Sequence, residues 1–173
     1  HQLMLALVER LGLMPEAVMA ALESGQGEEG EIGESIAGYV LPVLVVQQDD
    51  QCHWRTCPWW DKSGQSLAPL QLLRGTAPMG LRLPLGAIAS PNHLETEAIV
   101  PLDDNPILPG EGDGAAMGMA SPNSIQLALC VEPRQGTLFV FIPPMNSPRG
   151  YTDLLAAIEA AAVATGLPVA IEG

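Results

Sequence analysis

The sequence predicts an α+β fold, in which antiparallel β hairpins form a sheet with helices packed on one face. Three observations carry that prediction. First, residues 125–131 and 137–142 are apolar, β-rich runs joined by Glu132-Pro133-Arg134-Gln135-Gly136, a connection whose glycine suits a bulged hairpin turn. Second, residues 39–46 and 51–56 repeat the arrangement around Gln48-Asp49-Asp50. Third, the apolar period lengthens to that of a helix at both ends of the chain, through Leu3, Leu7, Val8 and Leu11 and again through Leu154, Leu155, Ile158, Ala161 and Ala162.

In chain order, the first helical pattern closes at Gly12, and residues 15–22 predict a second short helix with Pro15 in its first turn and Ser24-Gly25 at its end. Residues 1–24 therefore read as a helical opening, in which Met4, Met14 and Met19 fill core gaps. Residues 25–35 hold four Gly and four Glu with Ile32 as the sole core residue, the composition of an acidic linker that exposes its backbone. Residues 36–89 form a β region. Within it, Pro69 makes residues 67–73 an edge or bulged strand, and residues 79–85 form a strand-like run with Arg82 in its middle.

Residues 90–124 combine Pro91, Pro101, Pro106, Pro109 and Pro122 with Gly110, Gly112, Gly114 and Gly118, and read as a Pro/Gly-rich insertion on the surface. Its Gly110-Glu111-Gly112-Asp113-Gly114 lacks the alternating ligands and terminal glutamate of a calcium loop. Residues 125–173 form a ββαβ unit. Ser147 and Pro148 supply an N-cap and first-turn proline, Gly166 stops the helix, Pro168 prevents its return, and residues 167–171 begin another strand. Ala156, Ala157 and Ala160 leave little polar surface on the helix's other side, so it is expected to be covered there as well. The expected organisation is a single α+β domain, residues 1–173, cut from a longer protein, since residue 1 is His and the last strand has barely begun at Gly173.

Composition narrows the partners. A 173-residue chain that is 47% hydrophobic can bury a sizeable core, and no run approaches the ~18 apolar residues of a membrane helix. Seven Lys+Arg against 20 Asp+Glu give a formal charge of −13, which repels phosphate backbones and anionic lipid. The expectations are a cytoplasmic protein with neither nucleic acid nor membrane as partner. Cys52, Cys57 and Cys130 are an odd number without secretory context, so reduced thiols are expected. Cys52-His53 and Cys57 offer too few ligands for a closed zinc site, and no metal is assigned.

Five stretches carry a resemblance: residues 38–42 (GYVLP), 78–85 (PMGLRLPL), 128–134 (ALCVEPR) with Gly136, Tyr151 with Asp153-Leu154, and 167–173 (LPVAIEG). Their order resembles the amidoligase region of large bacterial proteins that also carry a transglutaminase-like domain. Residues 90–124 and the acidic stretch near Glu28 look peculiar to this chain. The resemblance implies an ATP-dependent carboxylate–amine ligase related to the glutamine-synthetase superfamily, with ATP and Mg as cofactors of the parent and none in this piece. The family's carboxylate-rich segments lie before and after the matched region, and no transglutaminase-like Cys, His and Asp set is carried here. The implied role is a non-catalytic portion that shapes a substrate or nucleotide site.

Candidate site residues follow from chemistry. A guanidinium keeps its proton, so a buried Arg82 needs a carboxylate such as Glu132 or Glu172, a group of carbonyls or a bound anion. Structural pairing is the simpler reading; the other is recognition of a substrate carboxylate or phosphate by Arg82, Glu132 and Arg134. An ordinary turn ion pair would also place Glu132 and Arg134 around Pro133. Trp54, Trp59 and Trp60 hold all the tryptophan of a chain with 4% aromatic residues. They read as a lid packed on the core or as a stacking and interface platform. The second class of function is therefore a structural or interaction module docking to the remaining domains of the parent, while the ligase reading calls for a small-molecule or peptide substrate.

Overall fold

A computed structural model describes residues 1–26, 32–48, 51–88, 125–145 and 147–173. Helix α1 (Gln2–Arg10) is followed by a 3-10 turn (Pro15–Ala17) and strands β1 (Met19–Gln26), β2 (Ile32–Pro42), β3 (Leu44–Gln48) and β4 (Gln51–Arg55). A two-residue strand β5 (Leu70–Gln71) and 3-10 turns at Met79–Leu81 and Leu85–Ala87 come next, then β6 (Ala128–Arg134), β7 (Thr137–Phe141), α2 (Pro148–Thr165) and β8 (Val169–Glu172). Six strands form one mixed sheet in the order β5-β1-β2-β6-β7-β8, and β3 and β4 form a separate hairpin sheet. The α+β class is as the sequence predicts, with parallel pairs β1–β5 and β7–β8 at the two edges of the large sheet.

Strand alternation gives the sheet two different covers. Leu41, Leu129, Val131, Val140 and Ile142 pack against Leu3, Leu7 and Val8 of α1 and Leu154, Ala157, Ile158 and Ala161 of α2, so both helices lie on one face. Val40, Ala128 and Cys130, with Met19 and Ala21, point the other way and are covered by Trp59, Leu70, Met79, Leu83 and Ile88 from residues 56–88. That double cover is why β6 reads as a continuous apolar run.

The ββαβ unit is as expected. Gln135 and Gly136 take positive φ at the β6–β7 turn, the Ser147 hydroxyl accepts the Gly150 N–H at 3.0 Å, and Gly166 closes α2 in the left-handed region. Ala157 is buried with the leucines rather than on the outer side, and Val163 is 79% exposed. Pro69 sits beside β5, at the sheet edge where a missing donor is tolerated.

Further expectations are corrected. Residues 39–46 are not one strand: 39–42 end β2 in the large sheet, and after Val43 the chain starts β3 of the separate hairpin sheet. Residues 15–22 are not a helix: after the 3-10 turn, Met19–Gln26 pairs antiparallel with β2, and sheet contacts outweigh the helical preference of Met-Ala-Ala-Leu. Residues 25, 26 and 32–35 belong to that same hairpin rather than to an acidic linker. Arg82 does not lie in a strand but ends the 3-10 turn at Met79–Leu81, within a largely irregular cover. Residues 27–31, Asp49-Asp50 and the expected insertion at 90–124, with its Gly110–Gly114 motif, lie outside the described residues. Among those described, no helix is long and apolar enough to cross a membrane.

Candidate functional site

Arg82, Glu132 and Arg134 come together on the loop-covered face of the sheet. On β6, Glu132 and Arg134 continue the side occupied by Ala128 and Cys130; Glu23 continues the Met19 and Ala21 side of β1. Glu132 is paired across to Phe139, and Phe141 to Glu172, which places the β8 glutamate on this side too. The result is a row of charge crossing the sheet, Glu23–Arg82–Glu132–Arg134–Glu172.

The loop meets this row at close quarters. Arg82, 5% exposed, donates from Nη1 to Glu23 Oε1 at 2.6 Å and from Nη2 to Glu132 Oε1 at 3.3 Å. The other oxygen of Glu132 accepts the Met79 N–H at 3.1 Å, so one buried carboxylate ties both the backbone and the terminal guanidinium of residues 79–82. Two glycines permit the approach. A Cβ on Gly80 would fall 2.1 Å from Phe141 Cδ1, and one on Gly38 would fall 2.4 Å from Met79 Cε.

Arg134 continues the row. Its Nε lies 3.5 Å from Glu132 Oε2, its Nη2 donates to Glu172 Oε2, and its guanidinium stacks 3.7 Å above the Phe139 ring. Three carboxylates thus meet two guanidiniums. The Nε atoms of Arg82 and Arg134 are buried without a hydrogen-bond acceptor among the described residues. Nearby Cys130 is buried, and its thiol is pushed well above the ordinary range by desolvation and then by the charges of Glu132 and Glu172. It is a packed thiol rather than a nucleophile.

The tryptophans do not form one surface. Trp59 is fully buried under the loop-covered face, donating from Nε1 to the Ile125 carbonyl at 2.7 Å, whereas half-buried Trp54 packs with the helix-side cluster. Trp60, also half-buried, bridges to Ser66. Glu23 is a member that sequence reasoning missed, because residues 15–22 were read at helical period; the alternation Met19, Ala21, Glu23 is the signal that finds it. Glu172, considered as a partner for Arg82, pairs instead with Arg134. Among the described residues no three of His, Cys, Asp and Glu gather where they could hold a metal ion, so this arrangement does not fit a Mg site and no chemical step is routed through one.

One comparison with known proteins finds a match, over less than half of the chain. Residues 107–173 match the model of a family described as "Putative amidoligase enzyme (DUF2126)". The match spans β6, β7, α2 and β8 and so includes Glu132, Arg134 and Glu172. It takes in three of the five resembling stretches; residues 38–42 and 78–85 lie outside it, and it starts within the region expected to be peculiar to this chain. No curated protein and no solved structure matches the chain.

Proposed function

We propose that this chain is part of an ATP-dependent carboxylate–amine ligase, joined in its parent protein to a transglutaminase-like domain, and that it shapes a substrate or nucleotide site without supplying metal ligands. The observation that carries the reading is the family match over residues 107–173, because the strands it covers bear most of the charged row. In this role Arg82 and Arg134 set the positive charge beside a substrate carboxylate or phosphate, and Glu132 fixes both guanidiniums in place. Titrating this chain with Mg-ATP, glutamate and short peptides tests for a site. Incubating the parent protein with ATP and mass-identified amine and acid pairs tests for the reaction, with an ATP-dependent amide product expected. Arg134→Lys in the parent should lower turnover at least tenfold while the melting temperature stays nearly unchanged. Absence of any ATP-dependent amide product, or full turnover by the lysine variant, overturns the assignment.

One observation favours a second reading, a module that docks to other domains. Leu73, Leu81 and Leu85 are 54%, 67% and 43% exposed on the irregular cover, apolar side chains that a docked domain would bury. Replacing all three with serine should leave the isolated chain folded and weaken its association with the rest of the parent; unchanged association removes this reading.

A further inference from the structure

We infer, independently of the ligase reading, that the free edge of β2 over residues 32–37 takes up an extended basic peptide segment as an added strand.

β2 outruns its neighbour on one side. It pairs with β1 from Ile32 to Val40, yet with β6 only from Tyr39 to Pro42. Carrying the β2–β6 register two residues further sets Ala37 opposite Pro133, which has no N–H to donate, and the chain then turns into β7 at Gln135 and Gly136. Ala37 is also the extra residue of a bulge opposite Ala21 and Leu22, which bends β2 where that pairing ends. Beyond the bulge, β1 and β2 run on as a two-stranded ribbon. Among the described residues nothing pairs with 32–37 from the outer side, so every second residue turns its N–H and C=O outward without a protein partner. The outer edge of β1 differs: β5 pairs at Ala21 and Leu22, the Leu72 N–H reaches the Leu22 carbonyl at 3.0 Å, and Arg82 holds Glu23. The β2 edge is the open one, with Gly33, Glu34 and Ser35 exposed and Ile36 57% exposed. Free edges are commonly guarded by lysine or proline; residues 32–37 hold neither, and an added strand satisfies such a row.

Charge selects the partner. Between Arg10 and Arg55 the sequence has no Lys or Arg, while Glu23, Glu28, Glu29, Glu31 and Glu34 fall on the two strands or their connection. Two copies of this edge therefore repel each other, and a strand bearing lysine or arginine is attracted. Glu34 makes its described contact with a neutral group, accepting from Gln71 Nε2 at 2.8 Å, so its charge is uncompensated there. Alternation places Glu34 and Ile36 on one face of β2. A cation opposite Glu34, followed two residues along by an aliphatic side chain opposite Ile36, is the matching cross-strand pattern.

The test is a titration of the ¹⁵N-labelled chain with the end-blocked peptide Thr-Lys-Thr-Val-Thr-Lys-Thr, its counterpart with Glu for Lys, and a backbone N-methylated copy that keeps the lysines. The lysine peptide should shift the amides of residues 32–37 and slow their exchange, adding the outward-facing amides to those already paired with β1. The glutamate peptide should bind about tenfold more weakly, and the N-methylated copy, which cannot donate to the edge, should not bind. Glu34→Lys, a replacement at an exposed position, should weaken the lysine peptide roughly fivefold. No shift at residues 32–37, equal binding of the glutamate peptide, retained binding of the N-methylated copy, or an unchanged affinity in Glu34→Lys overturns the proposal. An edge that is already closed overturns it too. Protection of successive rather than alternate amides of 32–37 in the free chain, at every concentration, means that another part of this chain fills the edge; protection that grows with protein concentration means that a second copy does.

Discussion

The two faces of the large sheet are both buried, yet they are covered by opposite means. On the helix side, α1 and α2 satisfy their own backbones and contribute little but apolar surface, so the contact between Leu3, Leu7, Leu154 and Ile158 and the strands is broad and interchangeable. On the other side, residues 56–88 have almost no regular structure and must find partners for their backbone groups one at a time. Thr56 Oγ1 donates to the Pro42 carbonyl at 2.6 Å, Trp59 reaches Ile125, and Glu132 takes the Met79 N–H. The comparison teaches that helical cover spreads its stability over many equivalent contacts, while loop cover concentrates it in a few polar ties. Those ties are where charge, and with it the candidate site, accumulates.

The sharpest way to break the comparison is at Glu132. Glu132→Ala leaves Arg82 with Glu23 as its remaining carboxylate and the Met79 N–H without an acceptor; unfolding in urea should show a loss of about 3–5 kcal/mol. A loss near that of a surface ion pair would mean the loop cover does not depend on its ties. On the helix face, Leu154→Ala should cost about 3 kcal/mol in the same urea measurement, through transfer and cavity terms. A loss no larger than that of a surface residue would mean that the helix cover carries little of the fold's stability.

Gly80→Ala sharpens the contrast at smaller cost. With three Phe141 ring atoms within 2.4 Å of the new Cβ, the ring or the loop must move, and a penalty of about 1–3 kcal/mol is expected by thermal melting. The smallest effect belongs to Asp61, at the far end of the loop cover. Hydrogen bonds led by the Ser63 hydroxyl lower its carboxyl below the usual 3.8. A depressed folded value means its contribution is present above the unfolded pKa and disappears as pH falls through the folded one. Asp61→Ala should therefore be slightly less stable than the parent sequence near neutrality and indistinguishable from it in strong acid; a difference that grows below pH 3 would contradict the assignment.

The same division explains what the sequence allowed one to read. The β6–β7–α2–β8 unit was legible because each boundary has a local cause: Gly136 at the turn, Ser147 and Pro148 at the helix start, Gly166 at its end. The β3–β4 pairing was legible, but the break at Val43 that sends residues 39–42 into the large sheet was not. Arg82, Glu132 and Arg134 could be singled out because a charge inside an apolar run demands a partner, although which partner depended on strand order that no local pattern encodes. The β1 strand was not legible: Met19-Ala20-Ala21-Leu22 suits a helix, and only pairing with β2 and β5 makes it a strand. The separation of Trp54 from Trp59 also follows from which side of the sheet each residue reaches, and sequence proximity conceals it.

Gly80 has a mechanical consequence as well. With backbone seated directly on the Phe141 ring, Met79 lodged on Gly38 and Arg82 anchored at its tip, residues 79–82 have no slack through which a single side chain could retract. The segment behaves as a latch with two positions, seated or lifted whole, so amide exchange at Met79 and Arg82 should report one common free energy of opening.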